Sequence, residues 1–408
     1  MTHVDAQAVL EHVRDRRPAM TDLLADLARA ESPSDVPAAQ RRVFDLLADA
    51  LRPAGYEATH LPGNTSGGQL YARPADRPQG QPVQLLLGHG DTVWPQGTLD
   101  TMPVEVTDDG RMRGPGVYDM KGGLVQMVFA LRALRDLDVT PSVTPVVFVN
   151  SDEEIGSHDA RPRIHRLAKV VERTFVLEPS LGPQGKLKTA RKGIGRFTIR
   201  ITGKSAHAGL DPEAGASAIV ELSHVIQKLN ALNDAERGIT VNVGMIEGGQ
   251  RPNVVAPTSR ATVDVRVRTG ADAKVIEETI HSLEVSTPGV TLDIEGGIRR
   301  PPLERTPRNR ALWRCAQAAA DRLSIELDEG MAGGASDGNE TSAFSATLDG
   351  LGAVGDGAHA AHEYVDLAKM VERTALLVLL LLADPLAPDG DAAAAKAAAH
   401  APHRELSN

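Results

Sequence analysis

At 408 residues the chain is too long for one ordinary core and too short for three large ones, so two domains are expected. An apolar share of 41% argues against global disorder, and with 3% aromatic residues the core must be built mainly from Leu, Val, Ile and Ala. A net charge of −10 argues against nucleic acid or an anionic membrane as the main partner, because both attract basic surfaces, and points to a small molecule.

The segment Met1 to Arg17 is charged throughout and lacks the apolar centre of a signal peptide, which makes the cytoplasm the expected location. Apolar residues at helical spacing predict a helix over Ala38 to Leu51. Val83 to Leu87, Val143 to Val149 and Thr174 to Leu177 are short apolar runs, as expected of parallel strands covered on both faces. A helical pattern over Met120 to Leu137 lies between the first two, and the alternation reads as a three-layer α/β domain.

From Gly193 the rhythm changes. Phe197, Ile199 and Ile201 alternate, a helix is expected over Ala214 to Leu232, and strands near Thr240 to Ile246 and Ala261 to Val267. A second helix over Ala273 to Val285 and a strand over Val290 to Glu295 complete the order βαββαβ, the ferredoxin-like pattern, read as an inserted domain. Pro301 and Pro302 mark a return to the first domain, followed by a helix over Asn309 to Leu323 and a Gly-rich loop at Gly333 to Gly338. The single cysteine, Cys315, excludes an internal disulfide and reads as a small buried hydrophobe. The most apolar run, Ala375 to Ala383, is far shorter than the ~20 residues of a membrane span and reads as a core helix. The expected layout is a catalytic domain over 1–190 and 301–386, an inserted domain over 191–300, and a disordered tail over 387–408, where Ala, Pro, Asp and Gly dominate.

Candidate ligands follow the three buried strands directly: His89 the first, Glu153 and Glu154 the second, Glu178 the third. Asp119 joins them at the mouth of the Met120 helix. In open α/β sheets ligands bind beyond the carboxyl ends of the strands, so these groups should converge on one crevice. Four carboxylates there would repel one another unless cations neutralised them, and metal is the simplest cation. Imidazole and carboxylate suit zinc, and two ions ~3.5–4 Å apart sharing a bridging carboxylate form a hydrolytic arrangement. A lone His-x-Asp is ordinarily a solvated loop; the ordered set at strand ends is hard to explain that way.

These motifs closely resemble the M20 metallopeptidase family, especially its glutamate carboxypeptidase branch. The resemblance rests on Gly88-His89-Gly90-Asp91-Thr92-Val93, Gly114 to Gly123, Asn150 to Gly156 and Glu178-Pro179. It continues through Gly203 to Gly209, Gly333 to Gly338 and Gly357-Ala358-His359. It implies that Asp119 bridges two ions, that His89 and Glu178 complete one site, and that Glu154 and His359 complete the other. His359 is preferred to His362 because the family histidine lies four residues before the glutamate that is Glu363 here. Glu153 would be the general base and Asp91 would orient His89. The resemblance also implies substrate contacts from Arg266, Asn253, Lys186, Gly334 and Ser336, with Arg266 as a carboxylate clamp. His207 would reach the neighbouring subunit's site across a homodimer and stabilise the oxyanion. Lys188 and Glu340 depart from the family pattern: a small polar residue can occur at the first position, and an aromatic is common at the second.

The expected function is two-metal hydrolysis of an amide next to a free carboxylate, in an N-acyl amino acid or peptide. The expected ions are two Zn2+, with Co2+ or Mn2+ as the other candidates. An N-deacylase of the acetylornithine or succinyl-diaminopimelate kind is the nearer alternative. A non-catalytic binder is the more distant one, since every family position carries a competent residue.

Overall fold

Each of the three buried apolar runs forms a strand in the computed structural model, which describes residues 4–78 and 80–386. Val83–His89 lies between Thr144–Asn150 and Arg173–Val176, parallel to both, and Ala346–Leu348 extends the sheet beyond Arg173–Val176. On the other side a hairpin, Tyr56–Leu61 and Gln69–Pro74, adds two strands, the second antiparallel to Thr144–Asn150, so the six-stranded sheet is mixed. Successive residues of a strand face opposite sides. Leu85, Leu87, Val146 and Phe148 pack with Ile164 of the helix Arg161–Val170. Gly88, on the other face, lies so near Met120 and Leu124 that a Cβ there would come within 2.8 Å of the Met120 side chain. The sheet is thus covered by helices on both faces, an α/β architecture with parallel central strands.

These strands belong to one of two compact units, formed by Met1–Gly185, Thr306–Leu327 and Ser345–Asn408. Its N-terminal helices, Ala6–Asp15 and Arg17–Arg29, were not foreseen: their charges hide buried stripes of Val9, Leu10 and Val13, and of Met20, Leu24 and Leu27. The helix Pro37–Leu51 agrees with expectation. The apolar run near the end lies in Leu367–Leu381, a helix whose last nine residues are all buried. Among the described residues no helix is long and apolar enough to cross a membrane. Cys315, expected to be buried, is only partly so, and burial pushes its thiol upward in pKa. The tail expected over 387–408 lies outside the described residues.

The second unit comprises Lys186–Arg305 and Asp328–Phe344. It begins a few residues before 191, returns after 305 rather than at 301, and also takes in 328–344, including a short helix, Asp337–Ser342. Its antiparallel sheet has the order Thr240–Gly248, Thr258–Val267, Gly193–Thr202, Thr291–Arg300. Phe197, Ile199 and Ile201 share one core with Leu222 and Val225 of one helix and Ile276 and Ile280 of the other, the ferredoxin-like arrangement. The helices start where hydroxyls cap them, Ser217 before Ala218–Asn230 and Thr269 before Gly270–His281. The first helix therefore starts four residues beyond Ala214 and the second three residues before Ala273; the second also ends four residues before Val285. A parallel pair, Leu187–Arg191 and Glu329–Ala332, completes the unit.

Candidate metal centre

The parallel register places His89 beside Asn150, and Leu87 beside Val176. The residues just past these positions, Glu153, Glu154 and Glu178, therefore emerge at the same sheet edge as His89. Asp119 reaches them through a close approach. A Cβ on Gly123 would lie 2.0 Å from the Leu177 carbonyl oxygen, so only glycine lets the helix Gly122–Asp136 start against the chain leading to Glu178. The expected helix start at Met120 is replaced by an irregular turn over Val117–Lys121, in which the Asp119–Met120 peptide is cis.

His359 arrives from a distant part of the chain. The strands Gly355–Asp356 and Tyr364–Asp366 pair antiparallel, and Tyr364–Asp366 pairs in turn with Arg111–Arg113, just before the Asp119 turn. The loop of this hairpin carries His359 in a left-handed conformation (φ 61°).

Asp119 stands between two imidazoles. Its Oδ1 is 3.3 Å from His89 Nε2, and its Oδ2 is 3.4 Å from His359 Nε2. Glu178 Oε1 lies 3.5 Å from His89 Nε2, and Glu154 Oε2 lies 3.1 Å from His359 Nε2. Glu153 belongs to the same cluster: it, His89 and Glu178 offer ligand atoms within 4.8 Å of one another, as do His89, Asp119 and Glu154. The seven first-unit residues singled out in the sequence thus come together, with Asp91 behind His89. His89 Nδ1 is 3.0 Å from the Asp91 carbonyl oxygen and 3.4 Å from its carboxylate. That carboxylate also accepts from the Ser34 hydroxyl at 2.7 Å and from the backbone N–H groups of Glu153 and Glu154 at 3.3 and 3.2 Å.

The electrostatics follow from burial and crowding. Burial lowers the pKa of His89, but the neighbouring carboxylates of Asp119, Asp91 and Glu178 outweigh it, and the pKa rises well above 6.5. His359, half exposed, is pushed up to about 10 by Asp119 and Glu154. Burial raises Glu154, whereas for Asp91 burial is outweighed by His89, Ser34 and the Glu154 N–H, which hold it down. Nε2 of His89 and Oε1 of Glu154 are buried without a hydrogen-bond partner. Buried, unsatisfied imidazole and carboxylate atoms converging from several segments are what a divalent cation requires, so the donor set fits metal.

Sequence reasoning used Glu363 only as a spacing mark. Its buried carboxylate accepts from the backbone N–H groups of Gly116, Tyr118 and Asp119 and from the Trp94 indole. The signal available was its fixed distance from His359. No sequence signal marks Ser34.

The remaining candidates lie in the second unit. His207 and Asn253 are exposed neighbours, with the Ala208 N–H donating to the Asn253 carbonyl at 3.0 Å. Arg266, on Thr258–Val267, donates through Nε and Nη2 to the two carboxylate oxygens of Asp264. Lys186 is paired with Asp328 at 2.6 Å. Arg191 donates to the Gly334 carbonyl, and the buried Ser336 hydroxyl accepts from the Gly338 N–H as a helix cap. Lys188 and Glu340, which depart from the family pattern, are both buried.

Residues 85–383 match the model of peptidase family M20/M25/M40. The chain is 27% identical to carboxypeptidase G2 of Pseudomonas sp. (strain RS-16) over 379 residues, 90% of each protein. It is 30% identical to acetylornithine deacetylase of Proteus mirabilis (strain HI4320) over 254 residues, 59% of this chain and 63% of the relative. Its fold is similar to that of aminopeptidase PepT from Bacillus cereus ATCC 10987, with TM-score 0.73, 21% identity, and coverage of 90% of this chain and 98% of that one. A convergent imidazole–carboxylate centre, carried on a chain that matches the family over most of its length, makes this protein a member of peptidase family M20/M25/M40 and a metal-dependent hydrolase.

Proposed function

We propose that the protein hydrolyses the amide bond of an N-acyl amino acid or peptide next to a free carboxylate, most like a glutamate carboxypeptidase. The observation that carries this reading is Asp119, whose two oxygens face two different imidazoles, each with its own second carboxylate. One such residue can serve two cation positions: Asp119 with His89 and Glu178, and Asp119 with Glu154 and His359. Zn2+ suits the donor set, and Co2+ and Mn2+ are the other candidates. Two bound ions would polarise the amide carbonyl and lower the pKa of the attacking water.

The chain's own residues do the rest. Glu153 takes a proton from the water that adds to the carbonyl carbon and delivers it to the nitrogen as the C–N bond breaks, leaving a carboxylate and an amine. Asp91 keeps the His89 ring oriented. In the second unit, Arg266 takes the substrate carboxylate; Asp264 occupies its Nε and Nη2, and Nη1 and the remaining Nη2 proton are the donors left for substrate. Asn253, Lys186, Gly334 and Ser336 complete the substrate contacts.

The same reading makes the protein a homodimer in which His207 serves the partner's site and stabilises the developing oxyanion. It is supported by the open edge strand Thr240–Gly248, where Met245 and Ile246 are each 62% exposed.

A second reading, an N-deacylase, is favoured by the similarity to acetylornithine deacetylase. A panel containing N-acyl glutamates, dipeptides ending in glutamate, N-acetylornithine and N-succinyl-diaminopimelate separates the two. Turnover of the glutamate compounds is expected; turnover confined to the ornithine or diaminopimelate derivatives would replace the first reading by the second.

A further inference from the structure

We propose that Glu363 is the positioning residue of the metal centre: it holds the backbone turn that presents Asp119 to both imidazoles. The inference rests on the metal-centre reading above and adds to it a residue that is not itself a ligand.

The turn supports itself only in part: Lys121 N–H donates to the Gly116 carbonyl at 2.9 Å and Gly122 N–H to the Val117 carbonyl, but the N–H groups of Gly116, Tyr118 and Asp119 turn to a side chain instead. Gly116 has φ 72°, while Asp119 (φ −114°, ψ 97°) and Met120 (φ −128°, ψ 31°) are far from helical values. N–H groups in such a stretch lose the regular helical acceptors, and buried donors must find another. Glu363, 0% exposed, supplies it. Its Oε1 accepts from Tyr118 N–H at 2.9 Å and Asp119 N–H at 3.0 Å. Its Oε2 accepts from Gly116 N–H at 3.0 Å and from the Trp94 indole at 2.8 Å. Four donors on two oxygens fill the acceptor capacity of one ionised carboxylate, and hydrogen bonds to a charge are the stronger kind.

The placement in the chain gives these contacts their consequence. Trp94 lies five residues after His89, the turn contains Asp119, and Glu363 lies four residues after His359 in the same hairpin loop. One carboxylate therefore ties together the three segments that bring His89, Asp119 and His359 to a common point. Ligands held with small positional error bind metal more tightly, and loss of such outer partners typically costs about 10–100-fold in affinity or activity.

In Glu363→Gln one oxygen becomes an amide NH2 that faces two donors, so the turn loses half its acceptor while side-chain volume is kept. The expected result is a folded protein whose Zn2+ affinity, measured by chelator competition, falls about 10–100-fold. The visible spectrum of the Co2+-substituted protein should change, and kcat should fall more than KM rises. Glu363→Asp, which keeps both oxygens but draws them back, should recover part of the affinity. Trp94→Phe removes one donor and leaves the Asp119 contacts, and should cost less than about tenfold. Unchanged Zn2+ affinity and Co2+ spectrum in Glu363→Gln would overturn the proposal. So would a loss in Trp94→Phe as large as that in Glu363→Gln, which would indicate general loosening of the loop; should Glu363→Gln not fold, Glu363→Asp takes its place, and a loss in Glu363→Asp no larger than in Trp94→Phe would overturn the proposal. Asp119→Ala calibrates the series: if it too keeps its Zn2+, the metal-centre reading fails, whereas loss in Asp119→Ala with retention in Glu363→Gln removes only the role of Glu363.

Discussion

Arg266 is bonded in parallel to both carboxylate oxygens of Asp264, two residues before it on the same strand, at 2.7 and 3.1 Å. The pair fixes the plane of the guanidinium and leaves its remaining donors for a second carboxylate. A lysine ammonium cannot make both interactions in that geometry. Arg266→Lys is expected to lower kcat/KM by about 10–100-fold, the weight of one or two hydrogen bonds to a charged group. Amidating the substrate carboxylate should cost the native protein a similar factor and the variant almost nothing. Equal rates of the native protein on free and blocked substrates would remove Arg266 from this role.

In the proposed mechanism the two adjacent glutamates separate a base from a ligand. Glu153→Gln should retain its metal and lose about 10²–10⁴-fold in kcat, the usual weight of a general base. Glu154→Gln, which removes the carboxylate 3.1 Å from His359, should lose metal instead. Elemental analysis alongside rate measurements checks both, and two variants with the same metal content and the same residual rate would refute the division.

Metal uptake should release protons. His359 is pushed up to about 10 by Asp119 and Glu154, and His89, though burial opposes it, is raised by its three carboxylate neighbours. An ion that binds these raised imidazoles must displace protons from them. Falling pH increases the protonated fraction of these imidazoles, against which the metal must compete, so Zn2+ affinity should weaken toward acid. Calorimetry in two buffers of different ionisation enthalpy measures the protons released. Binding that neither releases protons nor varies between about pH 6 and 8 would contradict this account.

A hybrid dimer tests His207. If it serves the partner's site, mixing inactive His207→Ala and Glu153→Ala chains with subunit exchange should restore roughly a quarter of the sites, since half the dimers are hybrids and each has one intact site. If His207 acts in its own chain, mixing restores nothing. A fully active monomer would also defeat the idea.

Glu221 makes the stability of the second unit sensitive to acid. Burial pushes its carboxyl up, but Thr287 and the Ser286 N–H outweigh that, with backbone N–H distances of 2.6 and 2.9 Å, and hold it below its ordinary 4.5. A depressed carboxyl stabilises the fold fully above its unfolded value and ceases to do so as pH falls through the folded one. At neutral pH Glu221→Gln should cost about 1–3 kcal/mol, and the difference should shrink as the native carboxyl protonates. A denaturant series over pH reads this directly; a difference independent of pH would argue against it.

The strands, and the convergence of His and Glu residues beyond their ends, were legible in the sequence because they depend on local order. Each apolar run ends just before a His or Glu, and parallel strands deliver such residues to one edge whatever the connections between them. The βαββαβ rhythm of 193–297 was equally readable, since alternation and helical spacing report which face is buried. Helix ends were displaced by a few residues because hydroxyl caps at Ser217 and Thr269, not apolar spacing, decide where a helix begins.

What only the tertiary structure decided depends on contacts between remote segments. The expected helix start at Met120 is displaced by an irregular turn that contains Asp119, whose N–H is accepted by Glu363, 244 residues away. Ser34 reaches the Asp91 carboxylate from 57 residues away. Arg266 is paired with Asp264, although alternation alone says only that the two share a face. The residue types of the centre are thus written in short motifs, whereas the carboxylates and hydroxyls that orient it come from wherever folding brings a matching acceptor to a buried donor, and no local pattern encodes that distance.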